Sequence, residues 1–151
     1  FFLDSVLYNT PEKQLLAAAQ RGDEDEVTQL LSDGADPNTA VGAGGATPLM
    51  VAAINGHTAV ARALLLRGAA PDLALESDGP LRQGGATALF MAAQQGHGDM
   101  VQALIQGGAN AGLPRGDGMT PLEVAERKGH AEVATMLREE QGEPTVSAKD
   151  S

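Results

Sequence analysis

Apolar and polar positions alternate along this chain in a pattern that repeats. Thr47-Pro48-Leu49-Met50-Val51-Ala52-Ala53 returns as Thr87-Ala88-Leu89-Phe90-Met91-Ala92-Ala93 and as Thr120-Pro121-Leu122-Glu123-Val124-Ala125. A weaker first copy is Lys13-Gln14-Leu15-Leu16-Ala17-Ala18-Ala19. The copies start at residues 13, 47, 87 and 120, so their offsets are 34, 40 and 33. Each continues alike: Gly56-His57, Gly96-His97 and Gly129-His130 follow, with Gly22-Asp23 in the first copy. Second apolar stripes come next: Val27, Leu30, Leu31; Val60, Leu64, Leu65; Val101, Leu104, Ile105; Val133, Met136, Leu137. Gly34-Ala35, Gly68-Ala69 and Gly108-Ala109 close three of the units.

The pattern predicts two helices per copy. A Thr hydroxyl caps the first helix, and a Pro just after it gives up no needed hydrogen bond. Ala pairs leave a smooth face for close packing. The Gly before His stops the helix by taking the left-handed conformation. Apolar residues at i, i+3 and i+4 spacing give the second helix one buried stripe. Gly-Ala ends it and opens a turn-rich connector.

Taken together, these residues resemble the ankyrin repeat family, whose pattern is Thr-Pro-Leu-His-x-Ala-Ala-x-x-Gly-His, a Leu-Leu helix and Gly-Ala-x-x-Asn. The likeness covers roughly residues 11–140. It implies an all-α solenoid of stacked helix–turn–helix units with β-turn or hairpin connectors. Repeats are expected at about 11–44, 45–84, 85–117 and 118–140, with 1–10 as an N-terminal cap and 141–151 as a flexible polar tail. The family His that braces neighbouring loops is replaced here by Leu16, Met50, Phe90 or Glu123. The first repeat also lacks Thr-Pro and the His of Gly-His, and the third has Thr87-Ala88.

The 40-residue spacing exceeds the family's period of about 33 by seven residues. The extra length falls within residues 73–83, where Leu73, Leu75 and Leu81 are apolar in a segment otherwise built for solvent. Long loops in compact domains are often functional. A tolerated insertion is the plainer alternative, because closure entropy grows slowly with loop length.

Composition narrows the function classes. The 151 residues suit one short repeat array, and with only three Phe, one Tyr and no Trp the core must close over small side chains. There is no Cys, which excludes disulfides, thiolate catalysis and Cys-ligated zinc. A net charge of -10 argues against general nucleic-acid binding. No apolar run reaches the roughly 18 residues of a membrane span. The chain is expected to be soluble, in cytoplasm or periplasm. It opens Phe1-Phe2-Leu3 without Met, which is compatible with removal of an upstream signal or anchor, although no signal peptide is visible. The Ala-, Gly- and Arg-leaning composition suggests a GC-rich bacterial source.

The motifs that suggest chemistry are absorbed by the repeat. Gly42-Ala43-Gly44-Gly45-Ala46-Thr47 precedes a helix but lacks the ending of a phosphate loop, and its register is that of an inter-repeat turn. His57, His97 and His130 occupy one register on successive repeats, so they are expected to brace helix turns rather than share a metal. His130-Ala131-Glu132 has a deaminase-like spacing without the cysteines that zinc would need. No Ser sits in a nucleophile elbow. No catalytic residue, metal or cofactor is expected.

In the family the concave surface comprises connector turns and the exposed ends of the first helices. By register this implies Gln20, Arg21, Ile54, Asn55, Gln94, Gln95, Arg127 and Lys128 from helices, and Ala43, Ala46, Leu81, Arg82, Gln83, Ala86, Arg115, Asp117 and Met119 from turns. Five of these are basic and only Asp117 is acidic, so a relatively basic groove on an acidic body is expected. The acidic run Asp23-Glu24-Asp25-Glu26 starts an outer helix, where carboxylates suit the dipole. Ile54, Phe90 and Met119 would add affinity if exposed, though Phe90 is rather expected to fill the space of the missing family His. The function implied is a non-catalytic, monomeric protein-binding module whose partner offers an acidic patch. Small bacterial proteins of this kind include immunity proteins and stress-enzyme partners. The alternative is an accessory or small-molecule-sensing protein with residues 69–86 as a lid over a pocket. Self-association through Phe1-Phe2-Leu3 is a third possibility.

Overall fold

The computed structural model describes residues 9–41, 44–76 and 84–142. Most of the expected N-terminal cap, the centre of the insertion and most of the polar tail lie outside them. The described residues form eight helices in four antiparallel pairs. The inner members are α1 (Pro11–Arg21), α3 (Pro48–Asn55), α5 (Ala88–Gln95) and α7 (Pro121–Lys128). The outer members are α2 (Glu24–Ser32), α4 (Thr58–Leu66), α6 (Gly98–Gln106) and α8 (Ala131–Glu140). Each inner helix packs on its own outer partner and on the inner helix of the next pair, and the outer helices form a second row.

Three inner helices start where the repeat pattern puts them, whereas the first starts about a turn earlier than the copy at Lys13, on a Thr10-Pro11 pair that corrects the expectation that the first repeat lacks Thr-Pro. The hydroxyls of Thr10, Thr47, Thr87 and Thr120 accept from the backbone N–H of Lys13, Met50, Phe90 and Glu123 at 3.1–3.3 Å. Such a cap contributes about 1 kcal/mol over Ala. Each inner helix ends on a left-handed glycine, with φ between 74° and 78° at Gly22, Gly56, Gly96 and Gly129. The next residue then donates its N–H back five residues, as His97 does to the Ala92 carbonyl at 3.0 Å. That bond satisfies a helix-end carbonyl and reverses the chain into the outer helix.

The core runs the length of the stack. Ala18, Ala19, Ala52, Ala53, Ala92 and Ala93 are fully buried, so the inner helices approach over methyl groups. Leu64, Leu104 and Leu137 of the outer helices are also fully buried, and Leu31 nearly so. Phe90 is the largest fully buried side chain, and Met50 is buried at the same register of the preceding repeat. These two apolar residues fill the space of the missing family histidine in the two interior repeats. In the last repeat the position is the exposed Glu123, and in the first it is the half-buried Leu16.

Candidate functional site

The connectors are tied to one another across the stack. Isolated antiparallel bridges pair Val41 with Ala46 and Ala74 with Thr87, and the Arg115 N–H donates to the Met119 carbonyl at 2.7 Å. These three narrow stems sit side by side. The Glu76 N–H donates to the Gly44 carbonyl at 2.9 Å, and the Gly116 N–H donates to the Gly84 carbonyl at 2.8 Å. Only glycine permits the second tie: a Cβ on Gly85 would stand 2.6 Å from the Gly116 nitrogen, and one on Gly116 would stand 2.6 Å from the Gly84 oxygen.

Side chains brace the connectors as well. Asn38 donates to the Gly68 carbonyl at 3.1 Å and accepts from the Ala70 N–H at 2.7 Å. Asp72, one repeat later, accepts from the Asn110 N–H at 2.8 Å. The loop bracing that the absent Thr-Pro-Leu-His histidine put in question is thus made by other groups. The sequence reading missed both residues, although Asn38 stands at the Asn of the Gly-Ala-x-x-Asn signature.

The histidines form a ladder. Nε2 of His57, His97 and His130 lies 3.1–3.2 Å from the backbone oxygens of Gln20, Ile54 and Gln94 respectively. A carbonyl only accepts, so Nε2 carries the proton in each case. Each ring also lies against the left-handed glycine of the preceding repeat; a Cβ on Gly96 would be 2.5 Å from His130 Nδ1. Among the described residues no three potential metal ligands converge.

The same ladder positions the expected binding row. Gln20, Ile54 and Gln94 are held by their backbone oxygens while their side chains project from the ends of α1, α3 and α5. Gln20, Arg21, Ile54, Asn55, Gln95, Arg127 and Lys128 are exposed, and Gln94 is half-buried. Ile54 keeps 38% of its surface in water. Asn55 folds its amide back onto the Val51 carbonyl at 3.0 Å.

The charges on this face are not equally available. Arg21 pairs with Glu26 of the acidic run. Arg115 binds Asp117 through two hydrogen bonds of 2.6 and 3.1 Å, and its guanidinium lies 4.9 Å from the centroid of the Phe90 ring. The Asp117 carboxyl is pulled down to about 2, first by Arg115 and then by the Met119 N–H, and the Arg115 guanidinium is correspondingly raised by Asp117. Among the described residues Arg127 and Lys128 make no ion pair. Met119 is half-buried, and Ala46 likewise. Ala86 is wholly buried and packs in the core rather than facing a partner. Ala43, Leu81, Arg82 and Gln83 lie outside the described residues.

No helix among the described residues is long and apolar enough to cross a membrane. Comparison with known proteins agrees with the architecture. A family model for ankyrin repeats in three copies matches residues 6–76 and again 70–150. The rat cyclin-dependent kinase 4 inhibitor B is 36% identical over 129 residues, 85% of this chain and 93% of that protein. The human mitochondrial disaggregase is 51% identical over 59 residues, which are 39% of this chain and only 8% of that much longer protein. Capped helix pairs, glycine turns, the histidine ladder and these matches lead to one conclusion: the chain belongs to the ankyrin repeat family.

Proposed function

We propose that this chain is a non-catalytic module that binds a partner protein through the exposed row on its inner helices and the adjoining turn tips. One observation carries the reading. The histidine ladder fixes the backbone at Gln20, Ile54 and Gln94 yet leaves the first two side chains exposed and the third half-exposed, so the row is pre-organised and loses little entropy on binding. The middle of the row is apolar and amide-rich, and its cations without an ion pair among the described residues, Arg127 and Lys128, stand at the α7 end. A partner that fits would set an apolar side chain on Ile54 and an acidic patch against Arg127 and Lys128.

The test begins with capture of a partner on the full chain, with protein kinases included because the rat relative is a cyclin-dependent kinase inhibitor. Affinity is then measured at low and moderate salt for the wild type and for Arg127→Glu with Lys128→Glu. The double reversal is expected to weaken binding at least tenfold and flatten its salt dependence, since complementary charge governs association and specificity. Unchanged affinity and salt slope would remove the groove from the account. The sensor alternative, with residues 69–86 as a lid, turns on a connector whose centre, residues 77–83, lies outside the described residues.

A further inference from the structure

The repeat supplies an internal control for its own surface. Eight residues after the first residue of each outer helix stand Ser32, Leu66, Gln106 and Glu139. Three are polar, and the fourth is a leucine with 85% of its surface in water. A lone exposed leucine is ordinary on a protein surface. This one borders a cleft of about 420 Å³ between α2 and α4, whose walls also carry Arg62 and Arg67. Arg67 is held there by the Ser32 hydroxyl at 3.2 Å, and neither arginine meets a carboxylate among the described residues. Glu24 is the one carboxylate lining the cleft.

The complementary surface is on the same chain. A cleft of about 360 Å³ between α6 and α8 is lined by Ile105, Met136, Glu139 and Glu140, with Gln102 and Gln106. Both carboxylates are exposed, and neither is ion-paired among the described residues. The two clefts lie in the same outer row, at its opposite ends; Arg67 follows the C-terminal end of α4, as Glu139 and Glu140 close α8, while Arg62 stands mid-helix and Glu24 opens α2. A two-fold axis parallel to the outer helices reverses their order and keeps their direction. It therefore lays the α2–α4 cleft of one copy on the α6–α8 cleft of another, twice over, with helix ends at the same level. Closed dimers repeat each contact in this way.

We propose that the outer face is a self-association surface. Leu66 of each copy enters the Ile105–Met136 cleft of the other, with Arg62 and Arg67 facing Glu139 and Glu140. This departs from the monomer expected from the sequence and is independent of the inner row. The net charge of -10 on each copy opposes association, so the dimer is expected to be weak.

Sedimentation equilibrium of the full chain from ~10 µM to ~1 mM, a range that brackets a weak dimer, reads the result directly. The wild type should approach dimer mass, and Leu66→Gln, which installs the residue of the third repeat, should weaken association at least tenfold. Arg62→Glu with Arg67→Glu should be monomeric, as should Glu139→Arg with Glu140→Arg. An equimolar mixture of those two variants should dimerise again, because each cleft then meets its opposite. Circular dichroism checks that every variant is folded. A wild type that stays monomeric throughout overturns the proposal. So does a dimer indifferent to Leu66→Gln, a mixture that stays monomeric, or association that disappears when residues 1–9 are removed.

Discussion

At the scale of single residues, Arg115 shows what a register argument leaves out about a side chain. Its place in the turn put it among the free cations of the groove. Asp117, two residues on, instead clasps it, and the fully buried Phe90 ring beneath completes the site. The Arg-Gly-Asp spacing was visible in the sequence, but the ring beneath comes from the start of α5, 25 residues earlier in the chain, and only the fold brings it there. The consequence is a pH signature. The Asp117 carboxyl titrates at about 2 when folded, against 3.8 ordinarily. A depressed acid stabilises the fold fully above its unfolded value and loses that contribution as pH falls from about 4 toward 2. Asp117→Asn should therefore lose stability near neutrality and show a shallower decline than the wild type between pH 4 and pH 2. Urea melts at a series of pH values test this; parallel curves for the two proteins would contradict it.

At the scale of elements, most of the fold was legible. Thr caps, left-handed glycines and i, i+3, i+4 stripes are local, and each helix start and stop follows from residues within a few positions. The histidines were also read correctly as braces, because recurrence in one register argues against a shared ligand. What the sequence did not reveal was which group each imidazole would hold. The Gly96–His130 contact is the tightest of these junctions. Gly96→Ala should cost about 2 kcal/mol, from left-handed backbone strain together with the lost space for the ring. His130→Ala opens that space, so the double variant should lose less than the sum of the two single losses. Strict additivity in denaturant melts would mean that the ring and the glycine do not compete. The inner row was legible as a list of positions; its charge balance was not, because the Arg21–Glu26 and Arg115–Asp117 pairs form only once helices and turns are placed.

At the scale of the whole molecule, stability is shared between neighbouring repeats, as expected when each unit touches only those beside it. Phe90 belongs to the interior helix α5, which packs on α3 and α7 as well as on α6. Truncating it to Ala should destabilise the chain by about 3–5 kcal/mol in urea unfolding, the usual range for a fully buried Phe. A loss below 1 kcal/mol would show that the interior repeats do not depend on filling the vacated histidine position. The inserted residues illustrate the opposite case. Their length leaves the stack undisturbed because the flanking stems are tied to both neighbours, at Gly44–Glu76 and Gly84–Gly116.

The histidine ladder also gives the array a direction. Every rung reaches backwards, from a ring in one repeat to a glycine and a carbonyl in the repeat before it. The first repeat carries Asp23 in place of the ring, and its side chain caps its own helix at the Glu26 N–H. At the other end Gly129 has the same left-handed shape, φ 78°, and a Cβ there would meet nothing within 4 Å. Among the described residues the ladder is therefore vectorial, and Gly129 carries the shape of a rung without a ring against it. A fifth unit bearing Gly-His could be spliced after α8 and would find its docking point ready-made, whereas one added upstream would require Asp23 to become the missing ring.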